Sequence, residues 1–246
     1  MRGYLPELLE PDEMRIAIFG SGRMGQLVRT AAETAGHEVP IVLSSRDATR
    51  SAGEIEEALR NIDAAIDFSV AAAVYSNVSS CARTGVPLVE GTTGWNAEMA
   101  EVQNVVEEHG GALIYGANFS IGANLYYRIV ARAAELFHSV EGYAPFIEEA
   151  HHIRKRDAPS GTALRLRELL AITGLDVPIA STRAGHIPGT HLVGFDSAAD
   201  QITLTHTARS REGFAAGALF AATWIVGRRG VYEFSQMLDT MLDGKG

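Results

Sequence analysis

The chain is poor in several things, and each lack excludes a class of protein. Cys81 is the only cysteine among 246 residues, so neither an internal disulfide framework nor a thiolate metal site can form. No apolar run approaches the roughly 20 residues that a membrane-spanning helix needs. Basic charge is in deficit: 21 Lys and Arg stand against 30 Asp and Glu, a net charge of -9. Affinity for nucleic acid rests on basic surface, so that partner is not expected. The first 13 residues lack the charged-then-apolar order of a secretory signal. They read as a polar extension, with Met14 a candidate alternative start. A reducing, cytoplasmic setting is the expectation.

What the chain does have is alternation. Short apolar runs are expected as strands at Arg15–Phe19, Glu38–Leu43, Ala64–Phe68, Pro87–Glu90 and Ala112–Tyr115. Helices are expected between them, at Gln26–Ala35, Ala52–Arg60, Ala71–Thr84 and Ala97–His109. This is the pattern of an α/β domain with a Rossmann-type parallel sheet. After Asn118 the pattern changes. A long helix is expected over Ala123–Phe137, a strand over Ala144–Glu149 and a helix over Ala163–Thr173. Strand-like pieces follow at Pro178–Arg183, His191–Asp196 and Gln201–Ala208 without helices between them. That suggests an α+β domain with a mixed sheet. A helix over Phe214–Val226 and a short tail end the chain. The expected division is residues 14–121 with 212–246 for the dinucleotide domain, and 122–211 for a substrate-binding and oligomerisation domain.

Two segments carry chemistry. The first is Gly20-Ser21-Gly22-Arg23-Met24-Gly25, a G-x-G-x-x-G turn between the first strand and first helix. Such a turn lets a pyrophosphate approach the backbone at a helix N-terminus. An acidic residue at the end of the second strand would favour NAD, by binding the ribose hydroxyls. Ser44, Ser45 and Arg46 stand there instead and suit a 2′-phosphate, although Asp47 is close by. NADPH is therefore the expected cofactor, with NADH an alternative. Two loops at later strand ends, Gly91-Thr92-Thr93 and Gly116-Ala117-Asn118-Phe119, could reach the nicotinamide end, or could be only turns.

The second segment, EAHHIRKRDAPSGTAL (149–164), is a basic island in an acidic chain. His151, His152 and Lys155 offer groups that hold or move protons. Asp157 and Pro159 form a bend. Ser160-Gly161-Thr162 opens the next helix, where free N–H groups suit an anion. The plainer alternatives are a solvated loop and a simple helix cap. The spacing is not that of a zinc motif, so no metal is expected.

The same segment resembles the signature of the 4-hydroxy-tetrahydrodipicolinate reductase (dihydrodipicolinate reductase) family, roughly E-x-H-H-x-x-K-x-D-A-P-S-G-T-A. GRMG, IDFS (66–69), GTTGW, ANFSIGAN (117–124), the R-x-G-x-x-x-G of 183–189 and the S-R-x-x-F-A-x-G-A of 210–218 fall in the family's order. The resemblance implies a cytoplasmic enzyme of lysine and diaminopimelate biosynthesis, a homotetramer. It would reduce (2S,4S)-4-hydroxy-2,3,4,5-tetrahydrodipicolinate, a small dicarboxylate, by NAD(P)H with loss of water. His151 and Lys155 would be catalytic, and His152, Gly161 and Thr162 would bind substrate. Gly20 to Gly25, Arg46, Gly91 to Thr93 and Gly116 to Phe119 would contact the cofactor. The chain departs from the family in a glycine turn one residue short, in Ser45 for an acidic residue, and in a brief segment after Thr173. A related two-domain dehydrogenase of an amino-acid or semialdehyde substrate is the alternative enzyme, and an NADPH-sensing protein the alternative non-enzyme. Neither accounts for H-H-x-x-K ahead of S-G-T.

Overall fold

The computed structural model describes residues 13–44 and 51–244. They fall into two units, one built from the chain up to Ser120 and from Arg211 on, the other from Ile121–Ser210.

In the first unit the strands are β1 (Arg15–Phe19), β2 (Glu38–Leu43), β3 (Ala64–Asp67), β4 (Leu88–Glu90) and β5 (Ala112–Tyr115). The helices between them are α1 (Arg23–Thr34), α2 (Ala52–Ala58), α3 (Val74–Thr84) and α4 (Met99–Glu108). The strands pair in parallel throughout. Both faces of the sheet are covered, which is why these strands read as continuous apolar runs. Ala17, Phe19, Ala65, Leu88 and Leu113 join one core with Ile55, Val78 and Val102 from α2, α3 and α4. The alternate residues Ile16, Ile18, Ile66, Val89 and Ile114 are equally buried.

The second unit opens with α5 (Ile121–His138), then β6 (Ala144–His151), α6 (Gly161–Leu170), β7 (Ile179–Arg183), β8 (Thr190–Asp196) and β9 (Gln201–Thr207). Its sheet runs β7-β6-β8-β9. β6 pairs parallel with β7 and antiparallel with β8, so the sheet is mixed. Tyr126 and Val130 of α5 and Leu166 and Leu170 of α6 pack on Ile147, Val193 and Phe195. β6 extends two residues beyond the expected strand, to His151.

The chain then returns to the first unit as α7 (Glu212–Ile225). This helix is apolar nearly all round and correspondingly buried. Its small residues permit close approach: a Cβ at Gly217 would stand 1.8 Å from the Phe119 carbonyl oxygen. The expected short tail is instead a strand and a helix, β10 (Gly230–Glu233) and α8 (Phe234–Leu242). β10 pairs with β5 and completes a six-stranded sheet of order β10-β5-β4-β3-β1-β2. Phe234, Met237 and Leu238 bury the inner face of α8.

From β1 the chain goes to β2 on one side and then crosses to β3 on the other. That reversal opens a crevice beyond the carboxyl ends of β1 and β3, where open α/β sheets bind ligands.

Candidate functional site

The glycine turn lies at this reversal. Gly20 has φ +101, and a Cβ there would stand 2.4 Å from the Phe68 carbonyl oxygen of the turn after β3. A Cβ at Gly25 would stand 1.8 Å from the Gly20 oxygen, so α1 presses directly on the turn. At Gly22, in contrast, a Cβ would meet nothing within 4 Å. Gly22 is also the N-cap of α1, with no side chain closing the helix end. No acidic residue occupies the first turn. A helix start that is open, uncapped and free of negative charge suits a pyrophosphate. The one-residue shortening leaves each glycine with a distinct steric role.

Three further loops line the same carboxyl edge. Phe68-Ser69 follows β3, Gly91-Thr92-Thr93 follows β4, and Gly116 to Phe119 follows β5. The indole of Trp95 donates to the Thr92 carbonyl at 2.8 Å and anchors the second loop. In the third, Asn118 accepts from the Ser120 N–H at 2.9 Å. Ala117 is exposed, whereas the Phe119 ring is buried 4.7 Å from Phe234. Any ligand contact by Phe119 therefore falls to its backbone. Arg46 lies outside the described residues.

The second unit holds the titratable cluster. Side chains two apart on a strand share a face. On β6 this places Glu149 and His151 on the same buried face as Ile147. Sheet register does the rest: Glu149 stands opposite His191 of β8, and His151 beside Arg183 of β7. Glu149 Oε1 accepts from Arg183 Nη2 at 2.7 Å and from the Ser160 N–H at 3.1 Å. Glu149 Oε2 lies 2.8 Å from His151 Nδ1, close but misaligned for a hydrogen bond. Ser160 Oγ lies 3.1 Å from His191 Nε2 and accepts from the Ala163 N–H at 3.2 Å, so it caps α6 and joins the cluster at once.

The electrostatics follow from these contacts. Burial raises the Glu149 carboxyl, but hydrogen bonds from Ser160 and Arg183 outweigh it and hold the pKa at about 2. Burial lowers His151; Glu149 pulls the other way, and Lys155 and Arg183 reinforce the lowering. Burial and the neighbouring His151 take His191 down to about 4. At neutral pH the centre therefore holds one carboxylate, one guanidinium and two neutral imidazoles. Donor atoms of Glu149, His151 and His191 lie within 4.8 Å of one another, a spacing a metal ion could use. Arg183 already neutralises the carboxylate, however, and Ser160 engages His191. The group reads as a hydrogen-bonded cluster.

Beyond His151 the chain turns sharply, with Lys155 N–H donating to the His152 carbonyl at 3.0 Å. Lys155 is half-buried and pairs with Asp157 at 2.9 Å. Arg154 and Arg156 are exposed. His152 Nδ1 is enclosed, with no hydrogen-bond partner among the described residues. Gly161 and Thr162 begin α6, and Gly161 is exposed. The expected residues 151, 152, 155, 161 and 162 thus belong to one β6–α6 connection. Sequence reasoning missed Glu149, Arg183 and His191. The E-x-H spacing on a strand was a usable signal for the first and the R-x-G-x-x-x-G segment for the second, while no local pattern marked His191.

Known proteins resemble this chain over most of its length. A family profile described as dihydrodipicolinate reductase, N-terminus, matches residues 14–119, and one described as dihydrodipicolinate reductase, C-terminus, matches 122–238. A 4-hydroxy-tetrahydrodipicolinate reductase of Christiangramia forsetii is 34% identical over 93% of this chain and 99% of its own. One from Xylella fastidiosa is 38% identical over 87% of this chain and 93% of its own. Among solved structures, dipicolinate-bound dihydrodipicolinate reductase from Paenisporosarcina sp. TG-14 shares the fold. Its TM-score is 0.76 at 24% identity, covering 92% of this chain and 100% of that one. A scyllo-inositol dehydrogenase from Lactobacillus casei, solved with NAD(H) and scyllo-inositol, is a more distant likeness. Its TM-score is 0.50 at 10% identity, covering 95% of this chain and 90% of that one.

Proposed function

Because the chain belongs to the dihydrodipicolinate reductase family, we propose that it reduces (2S,4S)-4-hydroxy-2,3,4,5-tetrahydrodipicolinate to tetrahydrodipicolinate with loss of water, in lysine and diaminopimelate biosynthesis. The first unit is the dinucleotide-binding domain, and a nicotinamide dinucleotide fits its uncapped α1 terminus. When bound, that group supplies a hydride. The observation that carries the reading is the β6–α6 connection, which gathers a proton-handling side and an anion-binding side on one short segment.

His151 turns Nδ1 towards the Glu149 carboxylate. Its other nitrogen, Nε2, faces Gly189, where even a Cβ would stand only 3.2 Å away. The missing side chain keeps Nε2 accessible as the proton-exchange atom. Lys155 supplies a second proton, and its ammonium exchanges Asp157 for a substrate carboxylate. His152 and the N–H groups of Gly161 and Thr162 take the carboxylates at the start of α6. A cation and oriented donors at this point stabilise the negative charge that hydride addition generates on the substrate.

Finer features belong to the same proposal. NADPH is preferred over NADH, on the strength of Ser44, Ser45 and Arg46. The enzyme is a cytoplasmic homotetramer assembled through the second unit. The sheet face bearing Phe146, Leu192, Thr203 and Thr205 supports that assembly, since the helices of the unit pack on the other face. No helix among the described residues is long and apolar enough to cross a membrane.

The test is a coupled assay: the preceding synthase makes the unstable substrate from pyruvate and aspartate semialdehyde, and NADPH absorbance follows its reduction. Lys155→Ala and His151→Ala are each expected to cut kcat about 10²- to 10⁴-fold, the usual worth of a positioned acid, with NADPH affinity retained. Equal loss of cofactor affinity in both variants would sink the assignment. Arg46→Ala should narrow a KM advantage of NADPH over NADH, and no advantage in the parent enzyme refutes the phosphate reading.

A further inference from the structure

The first unit contains a second buried acidic group that the proposed chemistry does not use. Asp67 ends β3 and Glu90 ends β4. The two are register partners, and each residue is 0% exposed. Two carboxylates side by side in a dry interior repel, so a proton is retained between them.

Donors show where that proton sits. Asp67 Oδ1 accepts from the Ser69 N–H at 2.7 Å and from the Thr92 hydroxyl at 3.3 Å. Asp67 Oδ2 accepts from Asn77 Nδ2 at 2.7 Å. Three donors suit an ionised carboxylate. Glu90 Oε1 accepts from the Thr92 N–H at 2.7 Å. Glu90 Oε2 is enclosed and has no N–H or O–H donor among the described residues. A carboxylate with three donors is served as the anion and one with an enclosed, undonated oxygen is served as the acid, so Glu90 is assigned the proton, which it can share with its register partner Asp67.

This pair sits beneath two loops of the carboxyl edge at once. The Ser69 N–H and Thr92 hydroxyl bind Asp67, and the Thr92 N–H binds Glu90. The Gly91 N–H closes the same junction on the Asp67 carbonyl at 2.8 Å. We propose that Asp67 and Glu90, sharing one proton, are positioning residues that hold the Ser69 and Gly91–Thr93 loops in their dinucleotide-binding form. The proposal rests on the reading that the Gly91–Thr93 loop contacts the cofactor, and it adds the Ser69 loop to that contact. Loss of the proton to solvent places two negative charges under the loops. The carboxylates then part, and the backbone N–H groups they hold move with them. The titratable groups facing Glu90 are Asp67 on β3, Cys81 on α3 and, in register on β5, Tyr115. Burial first, and the adjacent Asp67 second, raise the Glu90 carboxyl well above its ordinary value.

The test measures NADPH and NADH affinity by fluorescence titration from pH 6 to pH 9.5, in the parent, Glu90→Gln and Glu90→Val. An amide mimics the protonated carboxyl, since it can accept from Thr92 and donate to Asp67. Glu90→Val is expected to weaken cofactor binding about tenfold at every pH, with kcat at saturating NADPH little changed. Glu90→Gln should restore what Glu90→Val loses, and should abolish the decline in affinity expected of the parent as pH rises. A parental pH profile in Glu90→Gln, or parental affinity in Glu90→Val, overturns the proposal. Should Glu90→Val fail to fold, infrared spectroscopy decides: the parent shows a buried carboxylic-acid C=O band that Glu90→Gln removes, and absence of that band at neutral pH overturns the proposal. Thr93→Ala separates the underlying reading. Undiminished cofactor affinity there sinks the loop assignment, whereas loss there with a parental Glu90→Gln sinks the pair alone.

Discussion

Glu149→Gln is the substitution that most directly tests how the second unit is held together. The carboxylate is fully enclosed and binds Arg183 and the Ser160 N–H. Its pKa of about 2 lies well below the ordinary 4.5. At about 1.4 kcal/mol per pH unit, its ionised form contributes roughly 3 kcal/mol to the fold at neutral pH. Hydrogen bonds to charged groups contribute about 1.5–3 kcal/mol each, and glutamine keeps the shape but loses the charge, so the two routes agree. The sign is set by the depressed value. This stability is present above pH 4.5 and is lost as pH falls towards 2. Glu149→Gln is therefore expected to cost roughly 3 kcal/mol at pH 7 and almost nothing once the parent carboxyl is protonated. Native-state hydrogen exchange is the appropriate assay, because β6 and β8 amides report this unit separately from the first. Parent-like protection of those amides at pH 7 would refute the argument. So would a penalty that persisted unchanged at the lowest pH.

His191, held at about 4 mainly by burial, contributes stability that is present above its ordinary 6.5 and lost as pH falls from there towards 4. His191→Gln should flatten urea stability over that window, and an unchanged slope would show that the imidazole is not buried as described. Gly25→Ala should weaken NADPH binding by at least about tenfold and cost about 1–3 kcal/mol, since its Cβ would collide with the Gly20 oxygen. Gly22→Ala, in open space, should leave stability almost unchanged while hindering the pyrophosphate. Thermal melts and cofactor titrations of the pair separate the two roles.

The sheet of the first unit was legible because its strands are buried on both faces and its glycine turn has a steric job at each position. The β6–α6 segment was legible because two histidines and three basic residues cluster within His151–Arg156 of an acidic chain. β10 was not, since Val231 and Tyr232 are half-exposed and too few to set a period. α8 did carry a signal in Phe234, Met237 and Leu238, spaced as one helical face. Asp67 and Glu90 were not read as buried groups, because residue type alone sends a carboxylate to solvent, and Glu149 had only its E-x-H spacing to mark it. Only the register of three strands shows that Glu149 meets Arg183 and His191.

That register has a consequence for how the second sheet assembles. If β6 slipped one residue against β8, Glu148 would turn inwards and Glu149 would leave its arginine. A slip of two would keep the pleat but press the Glu149 carboxylate against the apolar side chain of Val193. Either error strands a buried charge, at a cost of several kcal/mol, whereas an all-apolar face would tolerate sliding. The constellation proposed to move protons in the finished enzyme thus also proofreads the pairing of its own strands.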